Sequence, residues 1–226
     1  MKILITGSNG LLGQKLVARI AASQHTLIAT SRGKNRLSKV DPSSYTYDSM
    51  DITSRDDVLD IIEKHSPDVV IHTAAMTHVD QCEEHRDECW QLNVESVSYI
   101  VEACQKCNCH LVHVSTDFIF DGTHGPLSED ESPGPVNFYG ESKLEAEKVI
   151  QRAGIQAAIA RTVLVYGIAE DMSRSNIVLW VKNSLENNKE IHVVNDQWRT
   201  PTLAEDLAEG CYLLAIKRKD GIYNIS

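Results

Sequence analysis

A doubly wound parallel α/β sheet with a small C-terminal lobe is the fold class this sequence predicts. Three observations predict it. Short runs rich in Val and Ile alternate with longer helical patterns. The first run leads straight into a glycine-spaced turn. After Tyr166-Gly167 the alternation gives way to a polar, irregular stretch. Strand–helix alternation argues a parallel sheet covered on both faces, and right-handed crossovers wind it.

Residues 2–6, 26–30, 68–72, 110–115 and 156–165 read as buried strands, because each is a short apolar run bounded by turn or polar residues. Residues 45–47 add a short strand. Helices are expected at 10–22, 54–65, 87–107 and 140–153, where apolar residues recur at helical spacing. These elements make a dinucleotide-binding type of domain over 1–166. A polar stretch at 169–176 then precedes a helix near 177–187, a short strand at 190–194, a helix at 203–217 and a last strand at 222–225. Residues 167–226 therefore read as a small substrate lobe at the C-terminal edge of the sheet, beside the strand ends where ligands bind in such folds.

Composition narrows the function. Of 226 residues, 42% are hydrophobic and 24% charged, an ordinary globular balance. Twenty-two basic residues face 32 acidic ones, a net charge of −10, without the basic excess of a nucleic-acid binder. No apolar run approaches the roughly 20 residues of a membrane helix, and the N-terminus lacks a secretory pattern, so a cytoplasmic location is expected. In that compartment the six cysteines are not a disulfide framework. Cys104, Cys107, Cys109 and His110 invite a metal reading, but a zinc site wants a second paired cluster. No metal is expected.

Residues 7–13, Gly7-Ser8-Asn9-Gly10-Leu11-Leu12-Gly13, space glycines as G-x-x-G-x-x-G. Gly7 can make the tight turn, Gly10 lets a diphosphate approach the backbone, and Gly13 lets helix and strand pack. Glycine spacing alone also marks ordinary turns. Here a strand precedes and an apolar helix follows, so Gly7, Asn9, Gly10, Leu11, Leu12 and Gly13 become candidates to bind a dinucleotide in a Rossmann-like domain. The second strand ends in Ser31-Arg32 with no acid. An acid there would bind a ribose 2′-hydroxyl; Ser31 and Arg32 suit a 2′-phosphate instead. NADPH is expected over NADH, with NADH left open, and the bland alternative is a solvated basic loop.

Tyr139 and Lys143 stand four residues apart at a helix start, hence on one face. A neighbouring ammonium favours the phenolate and lowers a tyrosine pKa toward the working range. The same pair occurs by chance on helix surfaces. It gains weight from Ser115-Thr116-Asp117 at a strand's carboxyl end, although Thr116 and Asp117 also suit a turn cap.

With these residues in place the chain resembles an extended short-chain dehydrogenase/reductase, and more narrowly the dTDP-4-dehydrorhamnose reductase group of nucleotide-sugar reductases. Residues 7–13, 51–52, 72–75, 92–94, 115–122, 139–143, 161–167, 195–197 and 201–202 carry the likeness, in the family's order. The resemblance implies a catalytic set of Thr116, Tyr139 and Lys143, with Asn93 associated with site geometry and a water relay. It implies cofactor contacts from Asp51, Ile52, Ala74, Ala75, Thr77 and Ser115, besides Tyr139 and Lys143. Substrate contacts fall to Thr116, Asp117, Phe118, Gln197 and Thr202. The implied reaction is NADPH-dependent reduction of the 4-keto group of a nucleotide-linked deoxysugar.

Two departures stand out. Leu164 occupies a place where these reductases carry Trp, which removes an aromatic platform; Trp180 and Trp198 offer other aromatic surfaces or simply pack. Relatives also continue past the last strand, so the lobe is either reduced or incomplete. Two competing readings remain. An epimerase or dehydratase of the same superfamily is disfavoured because Phe118, not a second carboxylate, follows Asp117. A non-catalytic NADP-binding subunit, as in the beta subunit of methionine adenosyltransferase, is opposed by the intact Thr116–Tyr139–Lys143 set but stays open. A homodimer is the default oligomer.

Overall fold

The computed structural model describes residues 1–171 and 176–226; four positions of the expected polar stretch, 172–175, lie outside the described residues. Seven parallel strands form the main sheet. They are β1 (Lys2–Thr6), β2 (Thr26–Ser31), β3 (Thr46–Ser49), β4 (Val69–His72), β5 (His110–Thr116), β6 (Ala157–Thr162) and β9 (Gly221–Ile225), in the order β3-β2-β1-β4-β5-β6-β9. Every residue of β4 and β6 is buried, as expected of strands covered on both faces. The sheet reverses direction of winding between β1 and β4, which puts a crevice at their carboxyl ends.

Helices α1 (Leu11–Ala21) and α8 (Ala204–Ile216) pack together on one face, over a core of Ile3, Ile5, Leu16, Ile71, Val112 and Leu207. Helices α2 (Arg55–His65), α5 (Ser96–Cys107) and α6 (Phe138–Ala153) cover the other, over Leu4, Val70, Ile100, Leu111 and Ile159. Cys104 and Cys109 are buried in this second core. Among the described residues no helix is long and apolar enough to cross a membrane.

Several expectations are corrected. The helix expected at 87–107 comprises α4 (Arg86–Trp90), a π turn at Gln91–Glu95 and α5, and a further helix, α3 (Val79–Glu84), precedes it. The strand expected over 156–165 stops at Thr162. Beyond it β7 (Val165–Tyr166) pairs with β8 (Thr202–Leu203) in a separate two-stranded sheet. Residues 190–194 form no strand, despite Ile191, Val193 and Val194: the free edge of β6 is taken by β9. Thus α8 and β9, expected in the lobe over 167–226, join the main sheet. What stands apart from it is β7, β8, α7 (Ile177–Glu186) and the exposed segment 187–201.

Candidate active site

The glycine turn opens at the carboxyl end of β1. Gly7 has φ +70°, and a Cβ on it would lie 2.9 Å from the Ala74 nitrogen. A Cβ on Gly13 would lie 2.2 Å from the Gly7 carbonyl oxygen, so only glycine lets α1 seat on β1. Gly10 is the N-cap of α1 and supplies no side chain to its first N–H groups. A Cβ there would meet only the Gly7 oxygen, at 3.3 Å, so the face is open. An uncapped helix start beside a glycine turn fits the diphosphate of a dinucleotide. Leu11 and Leu12 are half-buried in that first turn.

The Asn9 side chain is engaged by the protein. Its amide nitrogen donates to the Lys34 carbonyl (3.0 Å) and its oxygen accepts from the Arg36 N–H (3.0 Å). It fixes the loop that follows β2. That loop carries exposed Arg32, Lys34 and Arg36 past Ser31, a local positive field in an acidic chain. Gln14 in turn binds the backbone of Glu170, whose carboxylate accepts from the Ser38 N–H (2.9 Å) and hydroxyl. Asp51 lies nearby. Burial opposes its ionisation, but the Thr53 N–H (3.0 Å) and hydroxyl (2.7 Å) and the Arg32 charge hold its carboxyl below the usual range. Ile52 is buried in the core.

The loop after β4 carries Ala74, Ala75 and Thr77 beside this turn. The Thr73 hydroxyl donates to the Thr6 carbonyl (2.6 Å) and ties it to β1. Asn93, in the π turn, ties it to α6: its oxygen accepts from the Met76 N–H (2.8 Å), while its amide donates to the Met76 carbonyl (3.0 Å) and the Ser142 hydroxyl (3.0 Å). Ser142 donates to the Tyr139 carbonyl (2.7 Å). The Asn93 amide therefore staples the loop after β4 to α6. Ser142 was not legible as a site residue; its place one turn from Tyr139 was the available signal.

Thr116 and Tyr139 meet at the end of β5. The Thr116 hydroxyl stands near enough to the phenol to favour its ionised form, donates to Asp117 (3.1 Å) and accepts from the Phe118 N–H (3.2 Å). It is therefore a turn cap as well as a neighbour of the phenol. The Phe118 and Tyr139 rings meet edge-on at 5.6 Å. Asn137 caps α6 by accepting from the Gly140 N–H (2.8 Å), starting the helix two residues before the expected 140 and putting Tyr139 in its first turn.

Burial pushes the Tyr139 phenol well above its ordinary value, with the Thr116 contact pulling the other way. The expected lowering by Lys143 is absent. The Lys143 ammonium instead donates to the Val114 carbonyl (2.8 Å) and pairs with His113 Nε2 (3.1 Å). Burial brings Lys143 down to about 8, against the pull of Glu147 and Cys89. Ser115 also points into protein: its hydroxyl donates to Glu147 (2.5 Å), which binds Arg161 through two bonds (2.8 and 3.1 Å).

The remaining substrate candidates divide. Asp117 pairs with Arg199 (3.1 Å), whose guanidinium lies 5.0 Å from the Phe118 ring centre. Burial raises the Asp117 carboxyl above its ordinary value while Arg199 and Thr116 draw it back. Gln197 accepts weakly from Arg199 (3.5 Å) on the exposed segment, so Arg199 brings Gln197 toward the end of β5. Arg199 was missed in the sequence. Thr202 is buried in β8 and bonded to Thr162 (3.3 Å). Trp198 is 96% exposed and forms no wall of the site.

Comparisons with known proteins show what the chain is similar to. The family described as RmlD substrate binding domain matches residues 1–226. The bovine (Bos taurus) methionine adenosyltransferase 2 subunit beta is 31% identical over 96% of the chain, which spans 63% of that protein. The dTDP-4-dehydrorhamnose reductase of Aggregatibacter actinomycetemcomitans is 31% identical over 100% of the chain and is covered to 73%. The structure of the Bacillus anthracis str. Ames dTDP-4-dehydrorhamnose reductase in complex with NADP superposes with a TM-score of 0.82 at 28% identity, covering 100% of this chain and 74% of that one. The chain thus spans less than two thirds of the methionine adenosyltransferase relative.

Proposed function

The chain belongs to the RmlD substrate-binding-domain family, and on that premise we propose that it is an NADPH-dependent reductase acting on the 4-keto group of a nucleotide-linked deoxysugar. One observation carries the reading. A buried Thr116–Tyr139 pair stands at the carboxyl end of β5 with Lys143 one helical turn on, and the uncapped start of α1 follows the carboxyl end of β1 in the same parallel sheet.

The glycine turn and the α1 N-terminus would hold the diphosphate, Ser31 and Arg32 the 2′-phosphate, and the loop at Ala74, Ala75 and Thr77 the nicotinamide half. The complex of the B. anthracis reductase with NADP supports this choice of cofactor. Bound NADPH supplies a hydride. Tyr139 holds the proton that the developing alkoxide requires, at its phenolic oxygen. Burial keeps that proton in place until the alkoxide forms. The Thr116 hydroxyl, which donates to Asp117 in the ligand-free site, would turn its single proton to the developing alkoxide, and such stabilisation of developing charge is the largest contribution to expect here. Lys143 has two N–H directions engaged by protein and one left for the ribose. Asp117, Phe118, Arg199 and Gln197 line the outer part of the crevice, where the nucleotide sugar would bind; the Arg199 guanidinium suits a sugar-nucleotide diphosphate.

A second reading is favoured by the methionine adenosyltransferase relative: an NADP-binding subunit without turnover. Oxidation of NADPH in the presence of dTDP-4-keto-6-deoxysugars separates the two. Turnover lost in Tyr139→Phe supports the reductase. Tight NADPH binding with no oxidation of any 4-keto sugar refutes it.

A further inference from the structure

Thr6, His72 and His113 are registered neighbours on β1, β4 and β5. All three are buried, and they form a lateral row beneath the crevice floor. The Thr6 hydroxyl oxygen accepts from the Thr73 N–H (3.2 Å) and, at 3.4 Å, from the Ala74 N–H. Its own proton is therefore free to be donated to His72 Nδ1, 2.7 Å away. The His72 ring stacks on His113, 5.4 Å between centres and 25° between planes. His113 Nε2 lies 3.1 Å from Lys143 Nζ, and its Nδ1 is buried with no partner among the described residues.

Charge bookkeeping restricts this row. A charged Lys143 has only donors, so His113 Nε2 must accept and its proton must sit on Nδ1. A second cation on His113, stacked on His72 and facing the ammonium, is disfavoured by burial, by Lys143 and by His72; both imidazoles are held neutral well below the usual range. The other charged or titratable groups facing Lys143 are Glu147 from α6, itself paired with Arg161 from β6, and Cys89 from α4.

We infer that His113 is a positioning residue for Lys143: by accepting at Nε2 while the Val114 carbonyl accepts beside it, it engages two of the three ammonium protons and leaves the third a single direction. The tautomer of His113 is then coupled to the charge of Lys143. When Lys143 releases its proton to solvent, its lone pair can accept from Nε2–H; the imidazole stays neutral overall, giving up its Nδ1 proton to solvent and taking one at Nε2. The row is closed at its far end by Thr6, so it holds a proton in place rather than conducting one to solvent. Its use in catalysis rests on the reductase reading; the coupling does not.

The test is made on the ligand-free protein, so a failure of the reductase reading leaves it unaffected. The Lys143 ammonium is titrated by NMR on lysine labelled at Cε and Nζ, with its signal assigned through Lys143→Met. His113→Leu removes the acceptor and should lower the Lys143 titration by roughly one unit, tenfold in the proton equilibrium. His113→Gln, which retains an acceptor, should restore most of it. Equal titration in all three proteins overturns the inference. Should His113→Leu fail to fold, imidazole nitrogen shifts in the wild type decide: the His113 tautomer should change as Lys143 titrates and stay fixed in Lys143→Met. A tautomer indifferent to Lys143, or a His113 that protonates near pH 6.5, also overturns it.

Discussion

Gly140 stands so close to Phe118 that a Cβ on it would lie 2.1 Å from the Phe118 carbonyl oxygen. This contact seats the first turn of α6 against the end of β5 and so sets the distance between Tyr139 and Thr116. Alanine would gain about 1 kcal/mol of helix propensity, but the obstacle is backbone and cannot step aside. Gly140→Ala should therefore lower the melting temperature and cut kcat about 100-fold, since a misplacement of about 1 Å has that cost. Unchanged kcat in a folded variant would show that the spacing is not critical.

Tyr139→Phe removes one hydroxyl from a buried ring. NADPH affinity should persist, while turnover falls by roughly 10²- to 10⁴-fold, the usual worth of a positioned acid. Equilibrium binding and single-turnover rates measured on the same preparation separate the two effects.

Arg32→Glu places an acid where a 2′-phosphate is expected to bind. The dissociation constant for NADPH should rise at least ~10-fold, about 1.4 kcal/mol, with NADH little changed. An equal loss for both dinucleotides would move the 2′-phosphate site elsewhere, Lys34 and Arg36 being the next cations along the loop.

The Glu147–Arg161 pair is buried on both sides. Arg161→Met strands the Glu147 carboxylate and should cost about 3–5 kcal/mol in a denaturant titration. Adding Glu147→Leu should recover much of it, because a well-packed apolar pair avoids both desolvation penalties. A single-variant cost under ~1 kcal/mol would mean water reaches the pair.

His72 is held neutral down to about pH 3, against an ordinary 6.5, because burial and the Lys143 charge oppose its proton. Between those values the unfolded chain binds the extra proton and the folded one does not, so stability rises with pH across that window. Urea midpoints should fall as pH drops from 6.5 toward 3, and His72→Gln should flatten that dependence. A slope identical to wild type would place the acid sensitivity in other groups.

Part of the candidate site was legible in local chemistry, and the resemblance supplied the roles. Gly7, Gly10 and Gly13 announce themselves by spacing, and Thr116, Tyr139 and Lys143 by their place at strand and helix ends. Direction was not legible. Asn9, Ser115 and Thr202 are candidates for ligand contact by residue type, but the sequence does not say that their side chains bond protein groups: Asn9 the loop after β2, Ser115 Glu147, Thr202 Thr162. Polarity alone does not say which way a strand-end side chain faces. The pairing of β9 with β6 was equally hidden, since it joins distant segments, and without it the apolar residues 191–194 looked like a strand in need of a partner.

That last pairing also sets a timetable. β6 is made at 157–162, but the strand that covers its outer edge begins 59 positions after Thr162, at Gly221. At ribosomal speeds of about 5–20 residues per second, the edge of β6 waits roughly 3 to 12 seconds for its partner during synthesis. Until then its unpaired backbone groups are a template on which another chain could pair, and β9 closes that edge.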